Sequence, residues 1–97
     1  MVYVRIHVHE NDRILAACDE DILGMTFRGG GARITVSERF YCGESVSEET
    51  FLERTRSASV INMVGNAVIG VAVREGLVSA DCVMDIGGVK HAQVVMM

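Results

Sequence analysis

Two short segments carry side chains that could meet a ligand: Gly87-Gly88 followed by His91 and Gln93, and Arg28 with Arg33 on either side of Gly29-Gly30-Gly31. Adjacent glycines at a turn let backbone approach a ligand without side chains intervening. Beyond Gly87-Gly88 stand Lys90, a cation, His91, which titrates near neutral pH, and Gln93, which both donates and accepts hydrogen bonds. Strand alternation places His91 and Gln93 on one face and Lys90 on the other, so a single ligand would use the first pair. The triple glycine could cradle a phosphate with its N–H groups. Phosphate loops of that kind lead into a helix and carry Lys-Ser or Lys-Thr, whereas here a strand pattern follows. The triple glycine therefore reads as a loop tip, with Arg28 and Arg33 as the candidate ligand contacts.

Three other sets of residues have the right types and weaker spacing. His7 and His9 share one strand face with Cys18 diagonally opposite, but zinc normally takes three or four ligands and only two stand at fixed spacing. Two histidines on the polar side of a hairpin are the simpler reading. Cys18 faces Arg5 in the register derived below, which would favour a thiolate and a Cys–His nucleophile with His7 or His91. A small buried residue is the usual role of a free cysteine. Asp19, Glu20 and Asp21 have the donors for Mg²⁺ and read as a solvated acidic loop. No catalytic residue, metal ligand or cofactor is assigned from these patterns.

The composition limits the partners. Net charge is −4, against the surplus of Lys and Arg that duplex DNA binding by bulk electrostatics requires. Lys90 is the single lysine and the other eight of the nine basic residues are arginine, the side chain suited to local bidentate contacts. Any RNA contact should therefore be local, with Arg28, Arg33 and Arg39 the candidates. The 97 residues, 49% hydrophobic and 23% charged, fit one domain with its own core. Cys18, Cys42 and Cys82 lie far apart without a CxxC pair, which suggests a reducing cytosol over a disulfide scaffold. The chain opens on a strand pattern without the basic start and apolar run of a signal peptide, and no window is long enough to span a membrane.

The elements that must position these residues follow from periodicity. Val2, Val4, Ile6 and Val8 alternate with polar residues as in a half-buried strand. A turn at Asn11-Asp12 returns the chain along Arg13–Cys18, setting Val8 opposite Leu15 and Ile6 opposite Ala17. Asp19–Leu23 forms one helical turn or a loop ending at Gly24, residues 33–36 a third strand, and Phe40-Tyr41 a loop packed on the core. Ser47 caps a helix running to about Ser57, with Glu48 and Glu49 in its first turn and Val46 stapled to Phe51. A second helix starts at Asn62 or Gly65 and ends at Glu75 before Gly76, unless Val60–Val64 is a short strand. Residues 83–86 and 89–95 flank Gly87-Gly88 as a hairpin that pairs Asp85 with Lys90. Val4, Ile6, Leu15, Phe51, Leu52, Val68 and Val71 make the expected core.

Val2-Tyr3-Val4-Arg5-Ile6, Asp21-Ile22-Leu23-Gly24, Phe40-Tyr41 with Gly43, Val64-Gly65, and above all Ile86-Gly87-Gly88-Val89-Lys90-His91-Ala92-Gln93 resemble a small archaeal family of conserved proteins of unknown function. The resemblance covers nearly the whole chain. It implies an archaeal, cytosolic setting, where small conserved proteins often serve the translation system. The combined expectation is an α+β fold, about five strands in a mixed or antiparallel sheet with two helices packed on it. The expected function is a non-enzymatic binding or assembly module whose partner is an RNA or a ribonucleoprotein, with a small Cys/His or metal-dependent enzyme as the alternative. Val94-Val95-Met96-Met97 ends the chain on an apolar run, and if the last strand lies at a sheet edge a homodimer would form through it.

Overall fold

The computed structural model describes residues 1–96. Strands β1 (Val2–His9), β2 (Asp12–Asp19), β5 (Glu44–Val46), β6 (Val60–Val64), β7 (Met84–Ile86) and β8 (Val89–Val95) form one mixed sheet in the order β5-β1-β2-β6-β8-β7. Among the described residues only β2 and β6 run parallel. Strands β3 (Thr26–Gly29) and β4 (Ala32–Thr35) make a separate hairpin. Helices α2 (Glu48–Thr55) and α3 (Asn66–Arg74) and the four-residue α1 (Glu38–Tyr41) complete the fold, with single 3₁₀ turns at Glu20–Ile22 and Ala80–Cys82. The α+β expectation holds, with eight strands in two sheets where about five were expected. Of the three strands beyond those five, β3 and β5 are four and three residues long, too short to show an alternation, and β6 is the short strand left open at Val60–Val64.

The first hairpin has the expected faces and a different register. His9 pairs with Asp12, Ile6 with Leu15 and Val4 with Ala17. The turn is thus Glu10-Asn11, not Asn11-Asp12, and Glu10 takes a positive φ of 55° there. Moving a turn by one position moves every partner by two, so the aliphatics stay on the same face. Cys18 consequently lies opposite Tyr3, and Arg5 opposite Ala16.

Two layers cover the sheet. On one face α2 and α3 lay Phe51, Val68 and Ile69 against Val4, Leu15, Ala17, Ile61, Met63 and Ala92, all essentially closed to solvent. Ser47 caps α2 by accepting from the Thr50 N–H, and Val46 and Phe51 share that core, as the staple requires. Of the expected core residues Val4, Leu15, Phe51, Val68 and Val71 are buried, whereas Ile6 and Leu52 are half-buried at its margin. The opposite face carries a smaller core, Ala16, Cys18, Val64 and Val89 under Val36 and Tyr41, with Phe27 and Ile34 of the β3–β4 hairpin packed on it.

The segment at 60–64 resolves as strand β6, inserted between β2 and β8. Gly65, at φ +129°, ends it and leads directly into α3. Strand β8 is not a free edge along its length: β7 pairs with Val89–His91, and among the described residues no strand pairs its outer side beyond that point. Val95 is 66% exposed there. Met97, the end of the apolar run, lies outside the described residues.

Candidate functional site

The β3–β4 hairpin turns on Gly30 and Gly31, whose φ of +57° and +80° suit a two-residue connection of the kind that matches strand twist. Thr26 pairs with Thr35, Phe27 with Ile34, Arg28 with Arg33 and Gly29 with Ala32. Phe27 and Ile34 point to the body of the protein, so Thr26, Arg28, Arg33 and Thr35 form the outer face, and all four are exposed. The threonine hydroxyls bond to each other at 2.9 Å. Arg28 and Arg33 are direct cross-strand neighbours, a placement that starts the two side chains about 5 Å apart. Neither makes an ion pair or a side-chain hydrogen bond among the described residues. Like charges placed directly opposite one another repel, so the hairpin presents an uncompensated double positive charge on an acidic chain.

The Gly87-Gly88 turn lies against this hairpin. A β-carbon on Gly87 would collide with the Arg28 carbonyl oxygen, and one on Gly29 would sit 2.6 Å from the Gly87 nitrogen. The open flank of Gly87, expected to admit a ligand, is filled by the chain's own backbone. The arginine pair and the glycine pair, separate candidates in the sequence, are joined by the fold, one seating the other. The turn is itself fixed from behind. Asp85 Oδ1 accepts from the Gly88 N–H at 2.9 Å. Asn66 donates to the Gly88 carbonyl at 3.2 Å and accepts from the Lys90 N–H at 3.0 Å.

Asn66 is held in turn by the start of α3, where the Asp19 carboxylate accepts from the Ala67 N–H at 2.9 Å and the Val68 N–H at 2.8 Å. That carboxylate therefore caps a helix, with both oxygens occupied. Glu20 accepts from Ser45 Oγ at 2.9 Å, and its other oxygen lies 3.9 Å from the N-terminal ammonium. Among the described residues no group of three or more His, Cys, Asp or Glu side chains gathers to hold a metal ion.

His91 and Gln93 face the hairpin side of the sheet, away from Lys90, as alternation required. They do different things. His91 is half-buried opposite Val64 and Met84, and burial pushes its imidazole below its ordinary pKa. Gln93 accepts from Asn62 Nδ2 at 3.2 Å, and Asn62 accepts from the Tyr41 hydroxyl. Tyr41 is buried, and that burial pushes its phenol up to about 12. This polar line from α1 across β6 to β8 was not legible in the sequence, because Tyr41, Asn62 and Gln93 meet only through strand order.

The cysteine and histidine readings fare worse. Cys18 is fully buried, and its thiol is pushed up to about 12, first by burial and then by the neighbouring Asp19 carboxylate. Arg5 is not its cross-strand partner and instead donates to the Cys42 carbonyl. A thiol so placed stays protonated at neutral pH and is a poor nucleophile. His7 bonds to the Phe40 carbonyl at 2.8 Å and stacks on the Phe40 ring at 4.6 Å, while His9 is exposed.

These features define a small α+β protein with a pinned, arginine-bearing hairpin as its most distinctive surface. The chain belongs to the family described as "Protein of unknown function (DUF424)", whose model matches residues 6–97. It is similar to a solved structure described as an uncharacterized conserved protein from Methanopyrus kandleri. The two are 31% identical with a TM-score of 0.81, over 99% of this chain and 93% of that one. No functionally curated protein matches the chain. No helix among the described residues is long and apolar enough to cross a membrane.

Proposed function

We propose that this protein is a non-enzymatic binding module that docks on the phosphate backbone of an RNA, free or within a ribonucleoprotein, through Arg28 and Arg33. The observation that carries this reading is their direct cross-strand placement, exposed and without any acidic partner among the described residues. A bridging phosphate would relieve their repulsion and accept from both guanidinium groups. The Gly87-Gly88 turn supports the pair from behind, through the Arg28 backbone. The alternative, a Cys/His enzyme, loses support because Cys18 is buried and its thiol is held in the protonated form.

The test is anisotropy titration of labelled structured RNA, single-stranded RNA and duplex DNA against the wild type and an Arg28→Ala/Arg33→Ala variant. One bridged phosphate gives a logarithmic salt slope of about −1. The double variant should weaken RNA binding about tenfold or more and flatten that slope. Equal RNA affinity in the double variant, or steep tight binding to random duplex DNA, would overturn the proposal.

A second reading concerns self-association. The outer side of β8 beyond His91 is unpaired among the described residues, and Val95 beside it is exposed. Pairing with the same stretch of another copy would cover both. Sedimentation at micromolar concentration tests this: a dimer that Val95→Lys dissolves supports the reading, and a strict monomer removes it.

A further inference from the structure

On the helix-covered face, away from the arginine hairpin, a groove of about 390 Å³ runs between α3 and the β7–β8 hairpin. Its walls are Ile69, Gly70 and Val73 on α3 and Ala80 and Val83 on the returning chain, with Lys90 at the rim. That volume falls in the range of small-molecule sites, and an apolar lining with a few polar groups is their usual character.

Gly70 is the informative residue. It sits in the middle of α3, where glycine is less favourable than alanine. The backbone there is not in the left-handed region, and a β-carbon would meet nothing within 4 Å. No neighbour in the folded chain requires glycine at this position, so its one structural effect is to leave the groove open. The rim supplies charge. Lys90 is exposed and makes no ion pair among the described residues. Arg74 also lines the groove and has a 3.6 Å contact to Glu48. Among the described residues Asp85 is the one acid on the rim; it is the direct cross-strand neighbour of Lys90 without an ion pair to it, and one of its oxygens is bound by the Gly88 N–H.

We propose that this groove binds a small amphipathic anion, an aliphatic body carrying a carboxylate that meets Lys90. The apolar walls take the body and the net positive rim selects the charge. Size favours a small molecule over a peptide strand: from Ile69 to Arg74 the helix advances about 7.5 Å, which an extended chain crosses in about two residues.

The experiment uses octanoate as the probe, followed by amide shifts in ¹H–¹⁵N spectra of the whole chain, with octanol and inorganic phosphate as controls. Octanoate should give saturable shifts at Gly70, Val73 and Lys90, with octanol and phosphate each weaker. Gly70→Leu, which fills the groove at an exposed helical position, should abolish them. Lys90→Ala should weaken octanoate about fivefold while leaving octanol unchanged. Gly70→Ala should raise the unfolding midpoint, as expected where the fold does not need glycine. Absence of saturable shifts in the wild type, or shifts that survive Gly70→Leu, would overturn the proposal. Because the hairpin arginines lie elsewhere, RNA binding is untouched by either result.

Discussion

Gly65 stands so close to Asp19 that a β-carbon on residue 65 would fall 2.6 Å from either carboxylate oxygen. The two residues are a matched pair. Asp19, at the end of β2, accepts from the first free N–H groups of α3, and Gly65 clears the space its carboxylate needs. The parallel pairing of β2 with β6 brings them together, since Cys18 and Val64 are the last partners in that ladder.

Asp19→Ala should cost about 2 kcal/mol, the loss of a charged acceptor at a helix start. Gly65→Ala should cost at least as much, because it adds the collision to a φ of +129° that side chains rarely adopt. Removing the carboxylate removes the collision, so the double variant should lose less than the sum of the two. Urea midpoints of the four proteins measure this coupling. Strict additivity would show that the two residues do not share the space assigned to them.

The acidic loop shows what local pattern conveys and what it does not. Asp19, Glu20 and Asp21 look alike in sequence, yet only Asp19 meets a helix start, because a strand some forty residues later pairs with its own. Alternation placed the aliphatics of β1 and β2 on the correct face despite a misplaced turn, since an even shift preserves faces. The cap and staple of α2 were legible because all their parts lie within five residues. By contrast, the Tyr41–Asn62–Gln93 line and the seating of Arg28 on Gly87 depend on strand order, which no local signal carries. The hairpin of β7 with β8, Asp85 opposite Lys90, was legible around Gly87-Gly88, whereas the pairing of β8 with β6 on its other side emerges only from topology.

His91 sets a pH dependence. Its folded pKa lies below the ordinary 6.5 because burial disfavours the charged ring. The unfolded chain then binds the proton more readily, so stability falls as pH drops through 6.5 toward the folded pKa and is level above it. Comparison of wild type with His91→Gln from neutral pH to about pH 5 isolates this contribution from that of the carboxylates. The variant should lose less stability over that range. Parallel curves would mean that His91 titrates as freely in the fold as in the unfolded chain.

Thiol reactivity should separate the three cysteines. Cys82 is exposed, Cys42 intermediate and Cys18 buried with its thiol pushed up to about 12. Iodoacetamide at neutral pH should label Cys82 first and leave Cys18 unmodified until denaturant is added, because the thiolate is the reacting form. Peptide mass spectrometry gives the order. Labelling of Cys18 in the native protein at the rate of Cys82 would restore the case for a nucleophile.

The two glycines of the β7–β8 turn should respond unequally to alanine. Both have positive φ, +62° at Gly87 and +93° at Gly88, so each substitution carries a backbone cost of about 1–2 kcal/mol. At Gly88 a β-carbon would meet nothing within 4 Å, and the cost ends there. At Gly87 it would strike the backbone of Arg28, which is not the movable end of a side chain. The hairpin must lift to make room, and that also displaces Phe27 and Ile34 from the smaller core. Gly87→Ala should therefore destabilise more than Gly88→Ala and raise amide exchange in β3 and β4 selectively, while α2 and α3 keep their protection. Because Arg28 rides on the same strand, Gly87→Ala should also reduce RNA affinity without removing any charge. Equal destabilisation by the two substitutions, with the β3–β4 amides unaffected, would show that the hairpin is not seated on this turn.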